Sequence, residues 1–248
     1  MIKKIFVSLG KYLLFVKTVF RKPEKWRIFW RQLMTESDKL ILSSVLLVGV
    51  ISVFIGGVLV IQTASNLENP VIDKMYIGYM VRESLILEFC STMVALILAG
   101  KMGSNIASEI GSMRITEQID AMEIMGVNSA NYLILPKVVA FMVMMPLLVT
   151  LSMFMGLVGG YGISAITNVL PVSEYLLGIQ YAFIPFYVFY SYIKTVVFAF
   201  VIASMASYYG YYARGGALEV GKASTKAVVN SSIVILLLDV VLTNLMLN

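Results

Sequence analysis

Apolar and polar positions separate into long uninterrupted apolar runs and short charged gaps. Four runs, 40–64, 138–166, 183–208 and 227–247, reach the roughly 20 apolar residues that an α-helix needs to cross a hydrocarbon core of about 30 Å. A fifth, 84–107, qualifies once Glu88 is tolerated inside it. The first 39 residues behave differently, because Lys3, Lys4, Lys11 and Lys17 punctuate the stretch Met1–Phe20, and Trp26 and Trp30 follow. Basic residues with an aromatic flank suit a helix lying in the membrane interface, and the segment is too charged for a signal peptide. The pattern predicts an all-α integral membrane protein. A basic interfacial segment fills 1–39, and a membrane domain of five transmembrane helices fills 40–248.

Composition agrees with the pattern. The 248 residues are 59% hydrophobic and 13% charged, with a mean hydropathy of +0.88. Soluble domains hold about 25% charged residues, so half the usual charge is missing. The net charge of +5 is explained by where the charges lie, with no call for nucleic acid as a partner. Segments 1–39, 101–137 and 209–226 hold sixteen lysines and arginines, against two in the opposite loops 65–84 and 167–182. By the positive-inside rule the N-terminus is expected in the cytoplasm and the C-terminus outside it. The chain has no histidine and one cysteine, Cys90. That excludes histidine-based metal sites, Ser-His-Asp catalysis and an internal disulfide, and no cofactor is expected. Asp239 is the lone aspartate within a span, so two-aspartate proteolysis is excluded too, and no enzyme activity is expected of this chain.

The stretch 99–128 is the most informative. Ala95, Ala99, Gly103, Ala107 and Gly111 recur every four residues and give one helix a smooth stripe, which serves internal packing and a dimer seam equally well. From Arg114 to Met125 the pattern turns amphipathic, with Glu117, Asp120 and Glu123 on one side and Ile115, Ile119 and Met122 on the other. A short helix over about 113–126 is predicted, stopped by Gly126, in a loop that ends at Pro136. Gly216 to Ala223 has the spacing of a phosphate-binding loop, but Ala223 stands where a magnesium-binding hydroxyl is required, so the motif is rejected. Glu88, Lys194 and Asp239 each lie 13 residues from the expected cytoplasmic end of their helix, about 20 Å along it. Charges inside spans pair or line a pathway, so equal depth predicts one cluster.

Two long motifs then carry a resemblance. The sequence A-G-K-M-G-S-N-I-A-S-E-I-G-S-M-R-I-T-E-Q-I-D-A-M-E-I-M-G-V-N at 99–128 resembles the signature of the MlaE/YrbE family of permeases, the membrane subunits of ABC transporters that work with MCE proteins in lipid traffic. So does G-G-A-L-E-V-G-K-A-S-T-K-A-V-V-N-S-S at 215–232, followed by L-D-V-V-L-T at 238–243. The likeness covers about 40–247 and makes 40–248 a permease domain. It implies a homodimer that moves phospholipid between inner and outer membrane of a Gram-negative cell, over cytoplasmic ABC ATPase subunits and under a periplasmic MCE-domain protein. It also implies an ATPase-coupling element carrying Glu109, Arg114, Glu117, Gln118, Asp120 and Glu123, and family charged positions at Glu88, Lys194 and Asp239. Where the family commonly has Arg-Glu and then Gly-Pro, this chain has Leu87-Glu88-Phe89-Cys90-Ser91, which leaves Lys194 as the cation and puts the kink in question.

Near the outer end of the first span, Phe54, Val58 and Ile61 are candidates for a wall around acyl chains, with Gln62 near the head group; plain helix packing accounts for them equally well. The rival class is a secondary transporter or channel using Glu88, Lys194 and Asp239 as an ion or proton relay. The amphipathic loop favours the ATP-driven reading, because a channel has no need of it. A non-transporting scaffold would leave the charges without a role.

Overall fold

The computed structural model describes residues 2–20, 26–67, 73–167 and 169–247, and among these it is helical with no strand. The helices are α1 (Ile2–Val19), α2 (Trp26–Asn66), α3 (Met75–Ser84), α4 (Val94–Leu98), α5 (Ser104–Ile115), α6 (Gln118–Ile124), α7 (Ser129–Thr167), α8 (Val172–Gln180), α9 (Pro185–Tyr211) and α10 (Ala217–Leu247). Five helical stretches are long and apolar enough to cross a membrane: Trp26–Asn66, Met75–Ile115, Ser129–Thr167, Pro185–Tyr211 and Ala217–Leu247. The chain is an all-α, multi-pass membrane protein.

Most of these stretches overrun the apolar runs that predict them. Apolar residues mark where a helix meets hydrocarbon, whereas backbone hydrogen bonds carry the helix on through polar turns. Hence Trp26–Lys39, expected within an interfacial segment, forms the first turns of α2, and only α1 is a separate helix. The residues between α1 and α2, 21–25, lie outside the described residues, as do Met1 and Asn248. Likewise α7 starts at Ser129, so Pro136 sits inside it and does not open it. The second span is not a uniform α-helix. Leu85–Met93 and Ala99–Gly103 are π-helical and link α3, α4 and α5 without a break in the helical chain. π-Helical turns are rare and cluster at functional sites. The first distortion spans Leu87–Ser91, the segment in which the sequence left a kink in question.

The chain divides into two compact units. The first comprises 1–40, 96–144 and 197–241. There the small-residue stripe serves internal packing: a Cβ on Gly210 would stand 2.6 Å from the Ala107 carbonyl oxygen, and one on Gly111 would stand 2.9 Å from the Val220 side chain. Ser224 donates a hydrogen bond to the Ser104 carbonyl at 3.2 Å. Helix α1 lays Phe15 against Tyr208 and shares a 2.6 Å hydrogen bond between Tyr12 and Ser204. Lys137 of α7, itself buried, reaches Glu109 of α5 at 2.8 Å and Glu36 of α2 at 2.9 Å.

The second unit comprises 41–95, 145–196 and 242–248. Its core is a glycine seam between α2 and α7. A Cβ on Gly56 would lie 1.8 Å from the Gly156 carbonyl oxygen, and one on Gly159 would lie 2.0 Å from the Val53 carbonyl oxygen. The hydroxyls of Ser52 and Ser152 bond across the seam at 2.7 Å. Helices associate in lipid through close packing and polar contacts of this kind. Arg82 of α3 is buried and caps the turn after α8, donating to the carbonyls of Ile179 at 2.7 Å, Tyr181 at 2.8 Å and Ala182 at 3.3 Å, and it pairs with Glu83.

The seam gives a direct test. Because backbone oxygen cannot move aside as a flexible side chain can, Gly56→Ala and Gly159→Ala should each cost about 3 kcal/mol, the upper end for overpacking. Gly49→Ala, with open space around it, should cost nothing measurable. Thermal unfolding in detergent reads all three, and equal melting for the three variants would refute the seam.

Candidate functional site

Glu88 lies within the π-helical stretch and Lys194 at mid-α9, and the structure joins them inside the second unit. Lys194 Nζ is 2.9 Å from Glu88 Oε2 and also donates to the Leu87 carbonyl at 3.2 Å. The lysine side chain is fully buried while that of Glu88 is 40% exposed. Tyr190, one turn before Lys194, places its ring 5.0 Å from the ammonium. Its hydroxyl shares a 2.6 Å bond with Thr243, whose own hydroxyl donates to Glu88 Oε1 at 3.3 Å. Thr92 donates to Oε2 at 3.4 Å. A single carboxylate thus collects a cation and two hydroxyls, in surroundings where each would be costly alone. Asp239, expected in the same cluster, is half-buried on α10, one turn before Thr243. Sequence reasoning singled out the charges and missed Tyr190 and Thr243. Their signal was the four-residue spacing that puts Tyr190 under Lys194 and Thr243 above Asp239 on their helices.

In the first unit the loop 113–126 is not one helix. Helix α5 runs to Ile115, Glu117 takes a left-handed conformation with φ 61°, and α6 starts at Gln118. Gly126, at φ 78°, ends α6 as expected, with its N–H bonded to the Glu123 carbonyl at 3.0 Å and the Val127 N–H to that of Met122 at 3.0 Å. This is the paired closure that glycine permits after a helix. The acidic face is not free. Asp120 accepts from Arg114 at 2.6 Å across the break, and Glu123 accepts from Tyr211 at 2.7 Å and from Ser129 at 3.0 Å. The Tyr211 hydroxyl, with Ser129 and then Arg114 behind it, holds the Glu123 carboxyl below the usual carboxylate range against partial desolvation. Glu109 is drawn into the ion pair with Lys137. Beneath α6, Ile119 is fully buried; at its far end Ile124 is 88% and Met125 71% exposed, with Glu117 and Gln118 also exposed. What this element offers outward is an apolar tip with Glu117 and Gln118 beside it, while Asp120 and Glu123 are bonded within the chain.

Phe54, Val58, Ile61 and Gln62 share the exposed face of α2, in line with Leu42, Leu46 and Val50. They are not core residues of this chain, so packing within the chain does not account for them. The false phosphate loop forms the entry to α10, where Lys222 is held to Glu219 at 2.6 Å.

Comparison with known proteins adds a family. The model of the permease MlaE family matches residues 33–245. A Rickettsia bellii protein named as a probable ABC transporter permease protein is 34% identical over 242 residues, covering 96% of this chain and 92% of its own. A Synechocystis protein of the same description is 36% identical over 170 residues, covering 68% and 65%. An Arabidopsis thaliana chloroplast protein named trigalactosyldiacylglycerol 1 is 26% identical over 220 residues, covering 89% and 63%.

The buried pair predicts coupled energetics. Removing one partner strands the other, at about 3–5 kcal/mol, whereas removing both leaves no stranded charge. Glu88→Gln and Lys194→Met should each lower stability, and the double variant should lose clearly less than the sum. A double-mutant cycle on thermal stability measures this, and strict additivity would mean the two groups do not depend on each other.

Proposed function

The chain belongs to the MlaE permease family, and from that premise we propose that it is the membrane subunit of an ATP-driven phospholipid transporter. In this reading two copies form the permease, cytoplasmic ABC ATPase subunits supply the energy and a periplasmic MCE-domain protein receives or delivers the lipid. The site is the inner membrane of a Gram-negative cell, with the N-terminus cytoplasmic and the C-terminus periplasmic, as the distribution of basic residues favours. A relative that bears the name of a galactolipid supports a lipid cargo.

The observation that carries the proposal is α6. Seven residues are too few for a helix to stand alone in water, yet this one is fixed by Asp120, Glu123 and Ile119 so that Ile124 and Met125 stand out unpacked. An apolar tip backed by satisfied polar groups has the make-up of an interface anchor. It is the surface on which an ATPase closing on nucleotide could push. The earlier assignment of docking to Glu117, Asp120 and Glu123 narrows accordingly: Glu117 and Gln118 border the tip, while Asp120 and Glu123 hold it up. The exposed stripe through Phe54, Val58 and Ile61 supplies an acyl-facing wall that a second copy would close, with Gln62 at its end. The pair Glu88–Lys194 fastens α9 to the π-helical stretch, and the depth argument extends the group to Asp239.

The test is expression with the neighbouring transport subunits, followed by purification and identification of bound protein and lipid. An ABC ATPase and phospholipid should co-purify. Ile124→Glu with Met125→Glu should abolish ATPase retention, at a cost of more than about 2 kcal/mol of binding, with folding intact. Full retention by that double variant would remove α6 as the contact.

A further inference from the structure

Four elements of the first unit meet at one side chain, that of Tyr211, the last residue of α9. Its hydroxyl is 2.7 Å from Glu123 Oε1 on α6 and 2.9 Å from Ser129 Oγ at the start of α7. Ser129 in turn lies 3.0 Å from the same Glu123 oxygen, so the three groups close a triangle around one carboxylate. The faces of the ring are used as well. The Arg114 guanidinium at the end of α5 stands 5.7 Å from the ring centroid, and the Phe15 ring of α1 is 5.4 Å away. Arg114 also grips Asp120, so α6 is held at two of its acids, and both routes pass through or beside Tyr211.

Helix α6 has little else to hold it. Ile119 is its one fully buried side chain, and the residue that precedes it, Glu117, is in the left-handed region. The side chains that would meet a partner, Ile124 and Met125, stand exposed at the C-terminal end of the helix and take part in none of these bonds. Adhesion and anchoring are therefore carried by different residues of a two-turn helix and its C-terminal cap.

We propose that Tyr211 is a positioning residue that latches α6 to α9, so that a displacement of α6 by its partner is delivered to α9 and, through Phe15, to α1. The proposal rests on the reading of α6 as the ATPase contact. Tyr211 contributes nothing to holding the ATPase; it makes the held ATPase effective. A tyrosine suits the task because the ring fixes position against Arg114 and Phe15 while the hydroxyl supplies a directional bond to a charged acceptor, the stronger kind of hydrogen bond.

The test separates adhesion from transmission. The full complex, purified with its ATPase and reconstituted in proteoliposomes, is compared for wild type, Tyr211→Phe and Glu123→Gln. Tyr211→Phe keeps the ring and deletes only the hydroxyl; Glu123→Gln keeps the shape and deletes the charge. Three quantities are read: ATPase retained per permease, lipid moved per ATP hydrolysed, and hydrogen exchange of the α6 amides. The latch predicts wild-type ATPase retention in Tyr211→Phe and, in both variants, a several-fold fall in lipid moved per ATP with roughly tenfold faster exchange confined to α6 and its flanks. Unchanged lipid per ATP with unchanged exchange would overturn it, as would a loss of retained ATPase that fully accounts for any loss of transport. If the wild-type protein retains no ATPase at all, the reading of α6 as the ATPase contact fails and the transmission claim goes with it. The exchange comparison still decides whether Tyr211 anchors α6.

Discussion

An ammonium ion cut off from water has to be neutralised by the chain that buries it, and this requirement organises the second unit around Lys194. Burial without a partner would cost several kcal/mol even after relaxation. Lys194 meets it with Glu88, with the Leu87 carbonyl and with the face of Tyr190. Glu88 in turn engages Thr92 and Thr243, which brings the end of the last helix to the second span. The π-helical turn that carries Glu88 belongs to the same arrangement. It interrupts the regular α ladder where the Glu88 carboxylate is presented.

The same logic, applied to the first unit, separates residues that build from residues that act. Lys137 with Glu36 and Glu109, Arg114 with Asp120, and Glu123 with Tyr211 and Ser129 are mutually satisfied. Satisfied groups hold the helices in place and have little left to offer a partner. The apolar surface left over is Ile124 and Met125 at the end of α6 and, in the second unit, the stripe along α2 that includes Phe54 and Val58. In a lipid-embedded protein an exposed apolar stripe along a span is ordinary. An exposed apolar tip on a short helix in a polar loop is not.

The all-helical architecture and the five spans were legible because apolar runs of about 20 residues have few other uses. Their ends were not, since a helix such as α2 carries on through Arg27, Arg31 and Lys39 without any stop signal in the sequence. Depth alone grouped Glu88, Lys194 and Asp239, because charges within spans are rare enough to compare, and the structure joins the first two. Tyr190 and Thr243 were marked only by their four-residue spacing from Lys194 and Asp239, a weak signal in a chain with 14 tyrosines. The small-residue stripe from Ala99 to Gly111 was visible, but whether it met a neighbour in the same chain depended on where Gly210 and Val220 fold. In the loop, helical periodicity correctly gathered Asp120 and Glu123 on one side. It missed the break at Glu117, because a left-handed glutamate is imposed by the Arg114–Asp120 bridge and the turn, not by local preference.

The central claim is that the outward-facing working surface of this permease is the apolar tip of α6, held in place by its acids. Site-specific photo-crosslinking in intact cells tests it most directly, with a photoreactive residue placed in turn at Ile124, at Met125 and at Ser112. Ser112 is also exposed and lies on α5, before the break. The account predicts a crosslink to a nucleotide-binding subunit from Ile124 and Met125 and none from Ser112. Crosslinking from Ser112 with none from the tip would contradict it.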